Sequence, residues 1–107
     1  MKIAVASDGR CVSGHFGHCD GFTIYEVEKK KIIKSDFIKN PGHRPGFLPD
    51  FLYKLEVKVI ISGGMGETAQ RLFAENKIDV IVGVEGDCDE VIEQFLNGEL
   101  KSTGNIC

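Results

Sequence analysis

Apolar and polar positions along this chain alternate between strand-like and helix-like patterns. Lys2 to Ser7 is aliphatic with little alternation, which suits a strand covered on both faces. Phe22 to Val27 and Ile32 to Ile38 are rich in β-branched and aromatic residues and read as two further strands. Only Glu28 to Lys31 separates them, short and polar, so they are expected to form an antiparallel hairpin. Leu48, Phe51, Leu52 and Leu55 then recur at helical spacing, with Pro49 suited to a first turn. Val57 to Ile61 is almost wholly β-branched and predicts a fourth strand. Ala69, Leu72 and Phe73 mark a second helix, and Ile78 to Val84 predicts the last strand. Asp87 and Glu90 fit a capping box before a third helix carrying Val91, Ile92, Phe95 and Leu96. Gly98 stands where helices commonly stop, and the polar tail from about residue 99 to Cys107 is expected to be mobile.

The order βββαβαβα predicts an α/β fold with three helices on a mixed five-stranded sheet. Short connections make the first three strands a meander, and helix-length crossovers make strands 4 and 5 parallel to strand 1. The expected spatial order is 3-2-1-4-5 with only strand 2 antiparallel, a ribonuclease H-like topology. The order reverses between strands 1 and 4, and open α/β sheets bind ligands at such a switch point. Loops 8–20, 40–46, 63–66 and 85–88 should then share one edge of the sheet. Those loops hold every histidine and three of the four cysteines.

A chain of 107 residues, 42% hydrophobic and 27% charged, predicts a single domain over 1–107 with its own core and no need of a metal staple. The net charge of −3 and the absence of a basic stripe argue against nucleic acid and anionic membranes as partners. Lys29-Lys30-Lys31 is the only basic run, and a solvated hairpin turn accounts for it. No apolar run is long enough to span a membrane or to act as a secretory leader. A cytoplasmic location is therefore expected, where four cysteines serve as ligands, redox groups or packed thiols rather than disulfides.

The chemistry centres on Cys11-Val-Ser-Gly-His15-Phe-Gly-His18-Cys19. Thiolate and imidazole suit zinc, copper(I) or iron–sulfur species, but the spacing matches no standard zinc motif. Cys11 and Cys88 also read as small packed hydrophobes. His43, in the turn-rich Asn40-Pro-Gly-His-Arg-Pro-Gly46, has a structural reading beside a ligand one. Gly63-Gly64-Met65-Gly66 opens a helix, where backbone N–H groups favour an anion, but a tight strand-to-helix turn explains it as well. Met65 by itself reads as core.

Several segments together resemble the dinitrogenase iron–molybdenum cofactor biosynthesis family, small domains with a ribonuclease H-like fold. They are Ile3-Ala-Val-Ala with Asp8-Gly9, Val12-Ser-Gly-His-Phe-Gly17, Gly42-His-Arg-Pro-Gly46 with Leu48-Pro49, and Ile61-Ser-Gly-Gly-Met-Gly66 with Ala69. The resemblance spans nearly the whole chain. It implies a carrier or chaperone that binds an iron–sulfur or iron–molybdenum precursor cluster and exchanges it with donor and acceptor proteins, as a monomer or weak dimer. It points to His15 and His43, with nearby cysteines, as ligands. The expected metal set is Cys11, His15, Cys19, His43 and Cys88. The expected cluster-binding set is Ser13, His15, His18, His43, Arg44, Gly63, Gly64, Met65 and Gly66. The radical-SAM motif Cys-x3-Cys-x2-Cys is absent, so the chain is not the cofactor synthase itself.

Two other functions compete with that carrier reading. A metal-dependent nuclease or phosphoryl-transfer enzyme follows from the topology, with Asp8 after strand 1 and Glu67, Glu85 and Asp87 as further carboxylates. Thiol redox chemistry through Cys11 and Cys19 ranks below it, for want of a Cys-x2-Cys pair. The expected role is binding, not catalysis.

Overall fold

The computed structural model describes residues 1–42 and 47–98. Six strands and three α-helices follow in the order β1 (Lys2–Asp8), β2 (Cys11–Val12), β3 (Gly21–Glu28), β4 (Lys31–Lys39), α1 (Phe47–Lys54), β5 (Val57–Ile61), α2 (Glu67–Glu75), β6 (Asp79–Ile81) and α3 (Cys88–Leu96). The fold is mixed α/β. His43 and Arg44, and the tail from residue 99 onward that was expected to be mobile, lie outside the described residues.

The sheet differs from the five-stranded order expected, because it has six strands. The extra one, β2, forms inside the stretch read as loop and pairs antiparallel with the end of β1, Ser7 opposite Val12 and Asp8 opposite Cys11. Gly9, at a φ of 64°, makes that tight reversal possible, since only glycine adopts positive φ without a steric cost. Numbered along the chain, the main path is β4-β3-β1-β5-β6, with β2 off it. β3 is antiparallel to both β1 and β4, while β1, β5 and β6 are mutually parallel. The last strand is also shorter than expected, three residues in place of seven.

Two apolar clusters lie on opposite faces, as period-2 side-chain alternation requires. Ala4 and Ala6 of β1, Phe22 and Ile24 of β3 and Ile60 of β5 turn toward Leu48 and Leu52 of α1 and Phe73 of α2. Ile3, Val5, Tyr25, Val59 and Ile61 turn the other way, toward Val91 and Ile92 of α3. Burial on both faces explains why β1 carries no polar alternation: Ile3 to Ser7 are all fully buried. The third helix begins at an N-cap, with the Asp87 carboxylate accepting from the N–H groups of Asp89 (2.9 Å) and Glu90 (3.3 Å). No helix among the described residues is long and apolar enough to cross a membrane.

Candidate functional site

The segment after β2 is held by backbone bonds on two sides. Ser13 N–H donates to Ala6 C=O (2.7 Å), tying it to the end of β1. Gly63 N–H then donates to Ser13 C=O (2.8 Å), Gly64 N–H to Gly14 C=O (2.9 Å), and Phe16 N–H back to Gly64 C=O (2.9 Å). Residues 13–16 therefore run as a short ladder against the glycines that leave β5. The approach is so close that a Cβ on Gly63 would stand 2.7 Å from Ser13 O and 2.8 Å from Gly14 Cα, so only glycine fits.

Side chains lock this frame from beneath. Ser13 is buried and its hydroxyl accepts from His15 N–H at 3.1 Å. Phe16 is buried between Phe22 and Phe73, with ring centroids 5.7 and 5.3 Å away. A 3-10 turn over Phe16–His18 follows, closed by His18 N–H on His15 C=O (3.1 Å). At three residues per turn, residues three apart lie on one side. Phe16 and Cys19 accordingly point into the core, while His15 and His18 both stay exposed.

Those two imidazoles border an open hollow of about 260 Å³, lined by His15, Phe16, Gly17, His18, Gly64, Met65 and Gly66. Its far wall is the start of α2, whose N-cap, Gly66, offers no side-chain hydrogen bond to the first helical N–H groups. Gln70 Nε2 donates to Met65 C=O (3.0 Å) and fixes that wall from behind. Of the expected cluster-binding residues, His15, His18, Gly64, Met65 and Gly66 thus share one hollow. Ser13 and Gly63 build the frame under it. Met65 contributes as a buried core residue at its floor. Phe16, Gly17 and Gln70 were not named as site residues. The first two sit inside the motif quoted for the family, and nothing in the sequence marks Gln70.

The thiols of the expected metal set are arranged differently from the imidazoles. Cys11 is exposed on β2, but it does not line the hollow. Cys19 is buried in the α1/α2 cluster, with Asn40 Nδ2 3.8 Å from its Sγ. Burial first, and then the Asp8 carboxylate, push its pKa up to about 11, so the thiol stays protonated near neutral pH. Cys88 is buried in the opposite cluster, 3.4 Å from the Ser7 hydroxyl, and burial raises its pKa too. Cys88 N–H donates to Arg10 C=O (2.8 Å), so its backbone does reach the rim although its thiol turns inward. Cys19 and Cys88 therefore belong to the clusters on opposite faces of the sheet. Among the described residues no three His, Cys, Asp or Glu side chains are grouped to hold a metal ion.

The carboxylates named for phosphoryl transfer form no group of three among the described residues. Asp8 Oδ1 accepts from Asp20 N–H (2.9 Å), and Asp87 caps α3. The 40–46 loop meets the rim at its start: Asn40 Nδ2 donates to Cys19 C=O (2.9 Å) and to Gly17 C=O (3.4 Å).

Comparison with known proteins shows the family and the fold. The family profile described as "Dinitrogenase iron-molybdenum cofactor" matches residues 1–98, and the chain belongs to that family. It is 33% identical over 106 residues to the uncharacterized protein MJ0580 of Methanocaldococcus jannaschii, covering 94% of this chain and 90% of that one. The crystal structure of PH0822 superposes with a TM-score of 0.90 at 28% identity, over 97% of this chain and 96% of that one. The apo form of the orange protein from Desulfovibrio gigas shares the fold, with a TM-score of 0.82 at 20% identity over 97% and 93% of the two chains.

Proposed function

We propose that this chain is a binding and carrier protein whose cargo is an anionic iron–sulfur or iron–molybdenum-type cluster, held at the rim hollow and passed on. The observation that carries the reading is the exposed pair His15 and His18, set on a rigid backbone frame beside the uncapped start of α2. Imidazole nitrogen is a ligand for iron and its neighbours in the first transition row. Unpaired N–H groups and the dipole at a helix start favour a negatively charged, sulfide-bridged guest.

Two imidazoles are fewer protein ligands than the four thiolates that usually retain a cluster permanently. An open hollow with few ligands suits cargo that must leave again. His43 and Arg44, on the loop that begins at Asn40, are proposed as further contacts from their place in the family's motif, and Cys11 as a thiol within reach of an incoming donor. On this reading the ribonuclease H-like sheet is a scaffold for binding and not for catalysis. The partners are cluster donor and acceptor proteins met in the cytoplasm.

Anaerobic reconstitution with ferrous iron and sulfide, with and without molybdate, tests the proposal. The protein should become coloured, show sulfide-to-metal charge-transfer bands, and release its metal and sulfide to an acceptor. A chain that stays colourless and free of metal and sulfide under all these conditions overturns it.

A further inference from the structure

We propose that β4 pairs with β4 of a second copy of this chain, antiparallel, about a two-fold axis through Ser35. Among the described residues β4 has a single strand neighbour, β3, so its other edge presents backbone donors and acceptors without a ladder. All but one of its nine residues are exposed, including Ile32 (40%), Ile33 (57%) and Phe37 (55%).

The register with β3 shows which way these side chains turn. Lys34, Asp36 and Ile38 stand opposite Glu26, Ile24 and Phe22, on the α1/α2 face. Phe37 and Ile32 stand opposite Thr23 and Val27, on the α3 face. The register shift leaves Ile33 as the extra residue between Ile32 and Lys34. Alternation from Phe37 through Ser35 then sets it on the α3 face as well. The third helix covers Tyr25 and Val27 but leaves this outer stripe bare. Phe37 rests one edge of its ring over Gly21, where any Cβ would collide with it, and exposes the rest.

Self-pairing through Ser35 places Ile33 opposite Phe37 and Lys34 opposite Asp36, each pair occurring twice by symmetry. Apolar contacts then form on the bare face and ion pairs on the other. Directly opposed side chains are the unit of sheet stabilisation, and like charges there are unfavourable. Moving the axis by one residue sets Lys34 against Lys34 or Asp36 against Asp36. The charges of the strand thus disfavour both adjacent registers. Within one copy Lys34 and Asp36 make only an exposed contact at 3.5 Å, weak enough to exchange for the partner's charge. The extra residue at Ile33 breaks the side-chain alternation beyond it, which confines the pairing to the centre of the strand. An interface of one short strand lies at the small end of protein interfaces, so the dimer is reversible and concentration-dependent.

Sedimentation of the purified full chain from about 10 μM to about 1 mM tests this, the range in which small interfaces dissociate. The unmodified chain should dimerise within it. Lys34→Asp alone and Asp36→Lys alone should each weaken the dimer by about tenfold or more, since both ion pairs become repulsions. The two variants mixed should form a heterodimer, because each supplies the charges the other lacks. Phe37→Lys, which sets a charge against the partner's Ile33, should also dissociate it. A chain that stays monomeric throughout, as it would if the edge served a different protein, overturns the proposal. So does a dimer indifferent to these substitutions, or a mixture that fails to cross-pair. All three positions are exposed, and retention of the cooperative thermal transition separates dissociation from unfolding.

Discussion

His15 and His18 stand exposed at the rim of the sheet, whereas Cys19, one residue beyond His18, is buried in the α1/α2 core. Cys88, at the start of α3, is buried in the core of the opposite face. Both residue types are candidate ligands in the sequence, because they suit soft metals and strand polarity brings their loops to one edge of the sheet. The fold separates them. A 3-10 turn repeats every three residues, so it turns Phe16 and Cys19 inward together and His15 and His18 outward together. A thiol without a charge partner behaves as a small hydrophobe. An imidazole keeps a polar edge and stays wet. Donor chemistry in a sequence therefore identifies candidates, and local backbone periodicity decides which of them a guest can reach.

Three measurements would break or sharpen that contrast. The largest effect is expected on the inward side. Phe16→Ala removes a ring packed between Phe22 and Phe73 and should cost about 3–5 kcal/mol of folding stability, the usual range for a buried phenylalanine. Denaturant unfolding checks it, and a loss under about 1 kcal/mol would mean that the turn is not anchored from below. His15→Ala, on the outward side, should leave stability within about 0.5 kcal/mol, as exposed substitutions generally do. Cluster or metal uptake should nevertheless fall by about tenfold or more, a loss that even substitutions behind a ligand produce. Normal folding with unchanged uptake would remove His15 from the site.

The smallest effect is a dependence on alkaline pH. The Cys19 pKa is raised in the folded state from 9.0 to about 11, so the folded chain holds its proton where the unfolded chain releases it. That contribution to stability is fully present below pH 9.0 and is lost as pH rises toward about 11. Burial shifts Cys88 and Tyr25 upward too, so all three act in the same direction. The unfolding midpoint should decline over this window, and less steeply in Cys19→Ala. An identical slope in that variant would show that the thiol is reachable by solvent and still available as a ligand.

Much of the architecture was legible along the chain. The unalternating run Ile3 to Ser7 required a strand covered on both faces, and its five residues are fully buried. Short polar connections and helical crossovers dictated strand polarity, and polarity alone brought the loops after β1, β5 and β6 to one edge, where they bond to one another. The glycine at 63 and the phenylalanine at 16 stand in the motifs that carry the family resemblance, and in the fold they prove to be the close contact and the anchor of the frame. The strand β2 was not legible. Cys11 and Val12 acquire strand geometry only because Asp8 and Ser7 are already extended beside them and Gly9 reverses the chain.

Sequence by itself determined the class of fold, the family and the edge at which the loops after β1, β5 and β6 meet, because these follow from periodicity, connection length and local motif. Only the tertiary structure decided that Cys19 and Cys88 belong to the clusters on opposite faces of the sheet, that His15 and His18 share a hollow with Gly64 to Gly66, and that β4 is left bare on one face. The direction of a side chain depends on which strands and helices surround its own turn. That packing is fixed by contacts between residues far apart in the chain, as when Ser13 and Gly14 meet Gly63 and Gly64.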